Sequence, residues 1–438
     1  MKIIEGFAAA KVALSRQIPT DITVSSSLRR RLKQMFGVNE PELVVKQIID
    51  TVRQRGDAAL YDYTRQIDGV KLDSLEITKK QVKNAYREVD DRLISAIKLA
   101  AERIRAFHTA QKKAVWRKAT RPGLSQLIRP IERVGVYVPG GTAPLFSTVL
   151  MTAVPARVAG VKEVILTSPP GRNGQIHPLT LVATDIAGVD RVFVVGGAQA
   201  VAALAFGTES VPKVDKICGP GNLFVMLSKK MVYGVVGIDG LQGPSEVLII
   251  ADGSANPAYC ASDLLAQAEH DPLASAILVT TSRKVAEAVN REVARQQKQL
   301  SRQGISAESL QSRGVITVVA NRDEAIELAN LYAPEHLCLL VKDPAYYLDR
   351  LTGAGCIVTG KKATVVLGDY VAGPNHVLPT GGTARFSSPL NVLDFLKLTN
   401  VIDTDKLNLV KLGKAAQIMA LAEGLDAHAR AISMRLED

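Results

Sequence analysis

Only six histidines occur in the 438 residues: His108, His177, His270, His336, His376 and His428. Four of them sit in polar, Gly- or carboxylate-rich contexts in the second half of the chain. Gln267 and His270 are three residues apart, at the end of an apolar, helix-like run. On a helix they share a face, so an amide oxygen and an imidazole nitrogen could reach one metal ion. A helix end capped by a histidine accounts for the same spacing. Glu335 and His336 are adjacent, and Pro334 biases Ala333 away from helix, so the pair begins a turn or a strand. An imidazole titrating near neutrality suits general base work and a neighbouring carboxylate can activate water; a merely polar strand start is equally compatible. Residues 368–376 form a Gly-punctuated loop holding Asp369 and His376, and residues 423–428 place Glu423 near His428. Taken together, Gln267, His270, Asp369 and His428 offer a mixed nitrogen and oxygen donor set that suits zinc.

Three further Gly-rich turns follow strand-like runs: Pro139-Gly140-Gly141, Gly196-Gly197-Ala198-Gln199 and Gly219-Pro220-Gly221-Asn222. Such turns let backbone N–H groups approach phosphate at a helix N-terminus. Ordinary tight βα turns read the same way, and no GxGxxG is present.

The elements that must position these residues are α/β in texture. Residues 28–112 carry helical periodicity, with Val44, Val45, Ile48, Ile49 and Val52 on one face and a second pattern over 90–108. From about residue 130, β-rich runs at 161–167, 191–195 and 215–218 alternate with helical ones. A second set, at 247–251, 277–281, 315–319 and 337–341, follows residue 240. Alternation of this kind implies parallel sheets covered by helices, here two Rossmann-like layers. From about residue 384 the pattern reads as helical to the end.

Bulk properties narrow the class. Lys and Arg outnumber Asp and Glu by 54 to 43, a net charge of +11. Basic runs at 29–33 and 112–121 read as a solvated surface, because no nucleic-acid-binding signature accompanies them; a nucleic-acid partner is not expected. Cys218, Cys260, Cys338 and Cys356 form no CxxC pair and lie in apolar runs, as reduced core thiols do. The uncharged segment 134–156 is broken by Pro and Gly, so it reads as a loop feeding a buried helix and not as a membrane span. The first residues do not read as a secretory signal. A cytoplasmic protein is the expectation.

Eight stretches in order carry a resemblance to a known family: Val134-Gly135-Val136-Tyr137-Val138-Pro139-Gly140-Gly141, Gly196-Gly197-Ala198-Gln199-Ala200, Gly219-Pro220-Gly221-Asn222, Gly243-Pro244-Ser245-Glu246, Gln267-Ala268-Glu269-His270-Asp271, Ala333-Pro334-Glu335-His336-Leu337, Gly373-Pro374-Asn375-His376-Val377-Leu378-Pro379-Thr380 and Glu423-Gly424-Leu425-Asp426-Ala427-His428. Together they resemble the histidinol dehydrogenases over nearly the whole chain. The resemblance implies zinc-dependent, NAD-linked oxidation of L-histidinol through bound L-histidinal to L-histidine, at the end of histidine biosynthesis. Gln267, His270, Asp369 and His428 match the family's zinc ligands, one ion per subunit. Glu335 and His336 match its catalytic pair; Ser245, His376 and Glu423 match substrate contacts, alongside the zinc ligands and His336. Tyr137, Gln199 and Asn222 match NAD contacts.

The resemblance also implies two Rossmann-like, aldehyde-dehydrogenase-like parallel-sheet domains with helical N- and C-terminal segments. The division it suggests is 1–27 as an N-terminal helical segment, 28–129 with 238–383 as the substrate and zinc domain, 130–237 as the NAD domain, and 384–438 crossing to the partner of a homodimer with shared sites. Two stretches depart from the family pattern: 361–366 lacks a Thr-Pro-Glu triplet, and Gly240-Leu241-Gln242 replaces a Met-x-Ala. A paralogue acting on another polar alcohol is the main alternative; Glu423 and His376 favour a cationic, imidazole-bearing substrate instead. A zinc hydrolase fits the Gly-rich turns poorly. A thiol mechanism through Cys338 competes with its reading as a core residue.

Overall fold

The computed structural model describes residues 1–16, 25–115, 120–121, 124–140, 144–360 and 362–437. Gly141, Lys361, Asp438 and part of the basic run at 112–121 lie outside them. In chain order the strands are β1 (Lys2–Glu5), β2 (Thr120–Arg121), β3 (Leu124–Pro130), β4 (Arg133–Tyr137), β5 (Glu163–Ser168), β6 (Arg191–Val194), β7 (Lys216–Cys218), β8 (Gly237–Ile238), β9 (Glu246–Ala251), β10 (Ser275–Thr280), β11 (Gly314–Val318), β12 (His336–Leu340), β13 (Cys356–Thr359) and β14 (Leu396–Ile402).

Two parallel sheets result. One has the order β6-β5-β4-β7-β8, the other β1-β11-β10-β9-β12-β13. Each contains five strands in the doubly wound order 3-2-1-4-5, counted within its own segment. In the second, β1 adds an outer strand from the N-terminus. The side chains alternate between the faces, as the pleat requires. Val134 and Val136 of β4 enter one apolar cluster and Tyr137 the opposite one; Val247 and Ile249 of β9 part in the same way from Leu248 and Ile250.

The helices between residues 26 and 115 settle on the five-stranded sheet, which differs from the expected grouping of 28–129 with 238–383. Ile97, Ala101 and Ile104 of the helix Asp91–Val115 pack on one face of that sheet. Val44, Val45, Ile48 and Val52 of the helix Pro41–Arg55 pack with Val201 and Leu204 on the other. The six-stranded sheet has no face to spare. The helices Pro257–Ala268 and Arg283–Gln297 cover one side, and Phe7–Leu14 with Arg322–Tyr332 cover the other.

The ends of the chain are less purely helical than expected. β1 precedes the first helix, and β14 pairs antiparallel with β3 along seven residues before the helices Lys406–Ala422 and Asp426–Glu437. The described residues of the segment 134–156 include the end of β4 and the start of the buried helix Ser147–Ala159. No helix among the described residues is long and apolar enough to cross a membrane.

Candidate active site

Tyr137, Gln199 and Asn222 all belong to the C-terminal edge of the five-stranded sheet, where open parallel sheets bind ligands. Tyr137 ends β4, and its hydroxyl accepts a hydrogen bond from the Gly197 N–H at 3.1 Å. Gln199, on the helix Gly197–Phe206, is 1% exposed, yet neither its amide oxygen nor its nitrogen has a partner among the described residues. A buried amide left this way costs free energy unless a ligand satisfies it. Asn222 is exposed and caps the helix Leu223–Val232 by accepting from Phe224 and Val225 N–H groups. Its oxygen is committed to the cap, which leaves its NH2 group for a ligand.

The turn before Asn222 is held from both sides. Gly219 has φ +114°, and a Cβ there would lie 2.1 Å from the Tyr137 carbonyl oxygen, so β4 and β7 converge only because no side chain is present. Its N–H donates to Asp239 at 2.7 Å, and its carbonyl accepts from Lys229 at 3.1 Å. Lys229 also pairs with Asp239 and donates to Gln242 at 2.9 Å, with Lys229 and Asp239 almost fully buried. Gln242 lies in one of the two departures from the family pattern, and it completes the shell around a buried ammonium. Sequence reasoning passed over this clamp because Lys229 lies on an ordinary amphipathic helix.

Asp68 lies close enough to Tyr137 for its charge to act on the phenol. Burial first, and the Asp68 charge after it, raise the Tyr137 hydroxyl to about 12, against the Gly197 N–H. Asp68 has one buried oxygen without a partner among the described residues, and burial pushes its pKa up to about 6. The folded chain therefore holds this proton more tightly than the unfolded chain. The resulting stability is present below the ordinary Asp value and is lost as pH rises through about 6. Asp68→Asn is expected to raise the thermal midpoint above pH 6, with the gain shrinking toward pH 4. Unfolding curves of both proteins across that range provide the check; a gain independent of pH would contradict the assignment.

A second cluster lies at the N-terminal edge of the six-stranded sheet. Glu335 and His336 stand where the helix Arg322–Tyr332 turns into β12, each 6% exposed. The turn runs through Ala333, whose φ of +48° makes it the one non-glycine residue with positive φ among those described. Pro334 had predicted departure from helix there. Register sets Glu335 beside the start of β9, and the Glu246 N–H donates to Glu335 Oε2 at 2.7 Å. His336 Nδ1 lies 3.7 Å from that oxygen and has no hydrogen-bond partner among the described residues; His336 Nε2 lies 3.5 Å from Asp369 Oδ1.

Asp369 sits on the helix Val365–Tyr370, which Thr364 caps; Thr364 also bonds Asp263 at 2.6 Å. Residues 362–366 of the divergent 361–366 stretch thus lead into and begin this helix. His376 Nδ1 is 2.7 Å from the Asp369 carbonyl, and His270 is coupled electrostatically to Asp369, His336 and His376. His270 itself lies just past the helix Pro257–Ala268, its N–H on the Gln267 carbonyl at 3.2 Å, and so is not on a shared helical face. Gln267 is buried, and its amide makes no hydrogen bond among the described residues. Ser245 directly precedes Glu246 and is half-buried.

The electrostatics of the pair are uneven. Burial raises Glu335 to about 7, opposed by His336 and the Glu246 N–H. Burial pulls His336 down, but Glu335 and Asp369 outweigh it and raise the imidazole to about 9. A carboxyl and an imidazole that both exchange protons between neutral and alkaline pH suit acid–base work. Cys338 is 1% exposed in an apolar cluster, and burial pushes its thiol well above the ordinary value, so the thiolate that a nucleophile needs is disfavoured.

Glu423 and His428 are not brought to this cluster within the chain. They flank the turn between the last two helices, both exposed, and neither side chain has a hydrogen-bond or ion-pair partner among the described residues. No group of three or more His, Cys, Asp or Glu side chains among the described residues of one chain is arranged to hold a metal ion.

A sequence profile of the histidinol dehydrogenases matches residues 32–436. The chain is 57% identical over 437 residues to histidinol dehydrogenase of Dehalococcoides mccartyi strain CBDB1, with all of both proteins covered. It is 49% identical over 441 residues to that of Deinococcus radiodurans, again with full coverage. The crystal structure of histidinol dehydrogenase from Elizabethkingia anophelis superposes with a TM-score of 0.90 at 36% identity, covering 100% of this chain and 98% of that one. With its motifs, its fold and its full-length relatives in agreement, the chain belongs to the histidinol dehydrogenase family and is an oxidoreductase.

Proposed function

We propose that the chain is a zinc-dependent L-histidinol dehydrogenase that uses two NAD molecules to oxidise L-histidinol through bound L-histidinal to L-histidine, in histidine biosynthesis. The observation that carries this reading is the buried Glu335–His336 pair beside Asp369, His270 and His376. The donor chemistry fits zinc: an imidazole, a carboxylate and a buried amide without a hydrogen-bond partner. Gln267, His270 and Asp369 would hold the ion together with a His428, and bound zinc would supply an anchor for the substrate's imidazole and amino nitrogens.

His336 accepts the alcohol proton in the first oxidation, for which bound NAD would supply the hydride acceptor, and the substrate becomes the aldehyde. Glu335 takes a proton from water as the oxygen adds to the aldehyde carbon, and protonated His336 returns its proton to the former carbonyl oxygen, giving the hydrate and a neutral imidazole. His336 then accepts a hydrate proton in the second oxidation, for which a second NAD would take the hydride, and the acid formed loses its remaining proton to solvent as the carboxylate of histidine. Ser245, His376 and Glu423 hold the substrate; Tyr137, Gln199 and Asn222 receive NAD. Retention of the aldehyde protects a reactive α-amino aldehyde from loss.

The exposure of Glu423 and His428 favours a homodimer in which these residues complete the partner's site. The last two helices pack on each other and present Leu407, Val410, Leu412, Ile418, Met419 and Leu421 to the outside. An apolar face of this extent marks an interaction surface.

Mixing inactive chains tests the arrangement. His336→Ala and His428→Ala chains, unfolded and refolded together, are expected to recover about a quarter of wild-type activity, since half the dimers are mixed and each has one intact site. Sites completed within one chain would recover none.

A further inference from the structure

The catalytic carboxylate hangs on a backbone N–H, and something must hold that N–H in place. Glu246 donates its N–H to Glu335, while its side chain takes no part in that bond. The side chain instead meets Arg16, which lies outside the residues matched by the family profile. Arg16 Nη1 and Nη2 grip the two Glu246 carboxylate oxygens at 2.6 and 2.7 Å. Its Nε donates to the Tyr332 carbonyl at 2.7 Å, and its guanidinium lies 3.8 Å from the centre of the Tyr332 ring. Tyr332 ends the helix three residues before Glu335, on the far side of the left-handed Ala333 turn. Arg16 thus bridges the two chain segments that bear the donor and the acceptor of the Glu246–Glu335 bond. It also touches the loop after His376: a Cβ on Gly382 would lie 2.9 Å from the Arg16 side chain, and the Gly381 N–H lies 3.3 Å from the same Glu246 carboxylate.

We propose that Arg16 is a positioning residue for the oxidation: through its fork on Glu246 and its bond to the Tyr332 carbonyl it fixes the Glu335 carboxylate for water activation. A bidentate guanidinium defines both distance and plane, which an ammonium does not. It also neutralises Glu246, so that Glu335 does not face a second unpaired buried carboxylate. Glu335 has few other restraints in the described structure, so loss of the fork frees the carboxylate to shift. Displacements of about 1 Å at a reacting group cost on the order of 10²-fold in rate.

The inference rests on the reading of Glu335 as the group that activates water in the aldehyde step, and the test separates the two. The single-turnover rate of the first NADH formed from L-histidinol and the turnover rate with L-histidinal as starting substrate are measured under saturating NAD and Zn2+ for wild type, Arg16→Met, Arg16→Lys, Glu246→Gln, the Arg16→Met/Glu246→Gln double variant and Glu335→Gln. Arg16→Met is expected to lower kcat for L-histidinal by about 10-fold or more while alcohol oxidation and the NAD KM change little, with Arg16→Lys recovering part of the loss. The double variant should lose no more than the worse single one, because the two side chains act as one unit. Equal losses in both half-reactions, additive losses in the double variant, or a fall in thermal midpoint with unchanged rates would overturn it. Normal L-histidinal oxidation by Glu335→Gln would overturn the reading of Glu335 itself, and the positioning inference with it. Impaired Glu335→Gln beside an unimpaired Arg16→Met would overturn the positioning inference alone.

Discussion

His336→Ala is expected to lower kcat for both L-histidinol and L-histidinal by about 10²–10⁴-fold, the range general base catalysis contributes. The side chain is almost wholly enclosed, and Nδ1 has no hydrogen-bond partner among the described residues, so it takes up a proton without first breaking a bond. In the proposed mechanism the same imidazole receives the proton in each oxidation, so neither half-reaction is spared. Its pH dependence has a definite sign. Only neutral imidazole accepts a proton, and Glu335 with Asp369 stabilises the charged form against the pull of burial, up to about 9. Turnover in wild type should therefore rise with pH beyond the ordinary histidine range, and the rise should vanish in His336→Ala. Steady-state rates with each substrate between pH 6 and 10 decide the point (this range is about the span over which such a group titrates). A variant that lost only alcohol oxidation would contradict the shared role.

Glu335→Gln is expected to act differently, lowering L-histidinal oxidation by about 10²-fold or more and sparing the first hydride transfer. An amide keeps the size of the side chain and can still accept from the Glu246 N–H, so the fold has no reason to change. It has no basic oxygen with which to take a proton from water. Burial holds the native carboxyl near 7, where it exchanges protons readily at neutral pH. Single-turnover burst kinetics would show one NADH formed quickly and the second slowly. Equal slowing of both would show that Glu335 does not divide the work as described.

Much of this was legible in the sequence, for definite reasons. The two sets of β-rich runs announced two parallel sheets because buried parallel strands need continuous apolar residues, and their positions match the strands closely. The grouping of the helices between residues 26 and 115 was not legible. An amphipathic helix such as Pro41–Arg55 declares that one face must be covered, but its pattern does not name the sheet that covers it. β14 was hidden because its residues are mostly exposed and its hydrogen bonds to β3 span a long sequence separation.

The candidate site divides in the same manner. Glu335 and His336 could be singled out as adjacent acid and base, yet only the register of β9 against β12 shows the Glu246 N–H holding the carboxylate. Gln267 and His270 had the spacing of a shared helical face, but the helix stops at Ala268 and His270 lies in the turn beyond. Arg16 carried no signal, since an arginine after a short helix is an ordinary surface residue until the fold brings Glu246 and Tyr332 to it.

The most direct test of the account counts NADH formed per L-histidinol consumed, with Zn2+ present and NAD in excess. Two NADH per substrate, with L-histidine as the product and no free aldehyde, is the predicted result. One NADH with released L-histidinal would contradict it, because the chain would then be a simple alcohol dehydrogenase in which Glu335 activates no water.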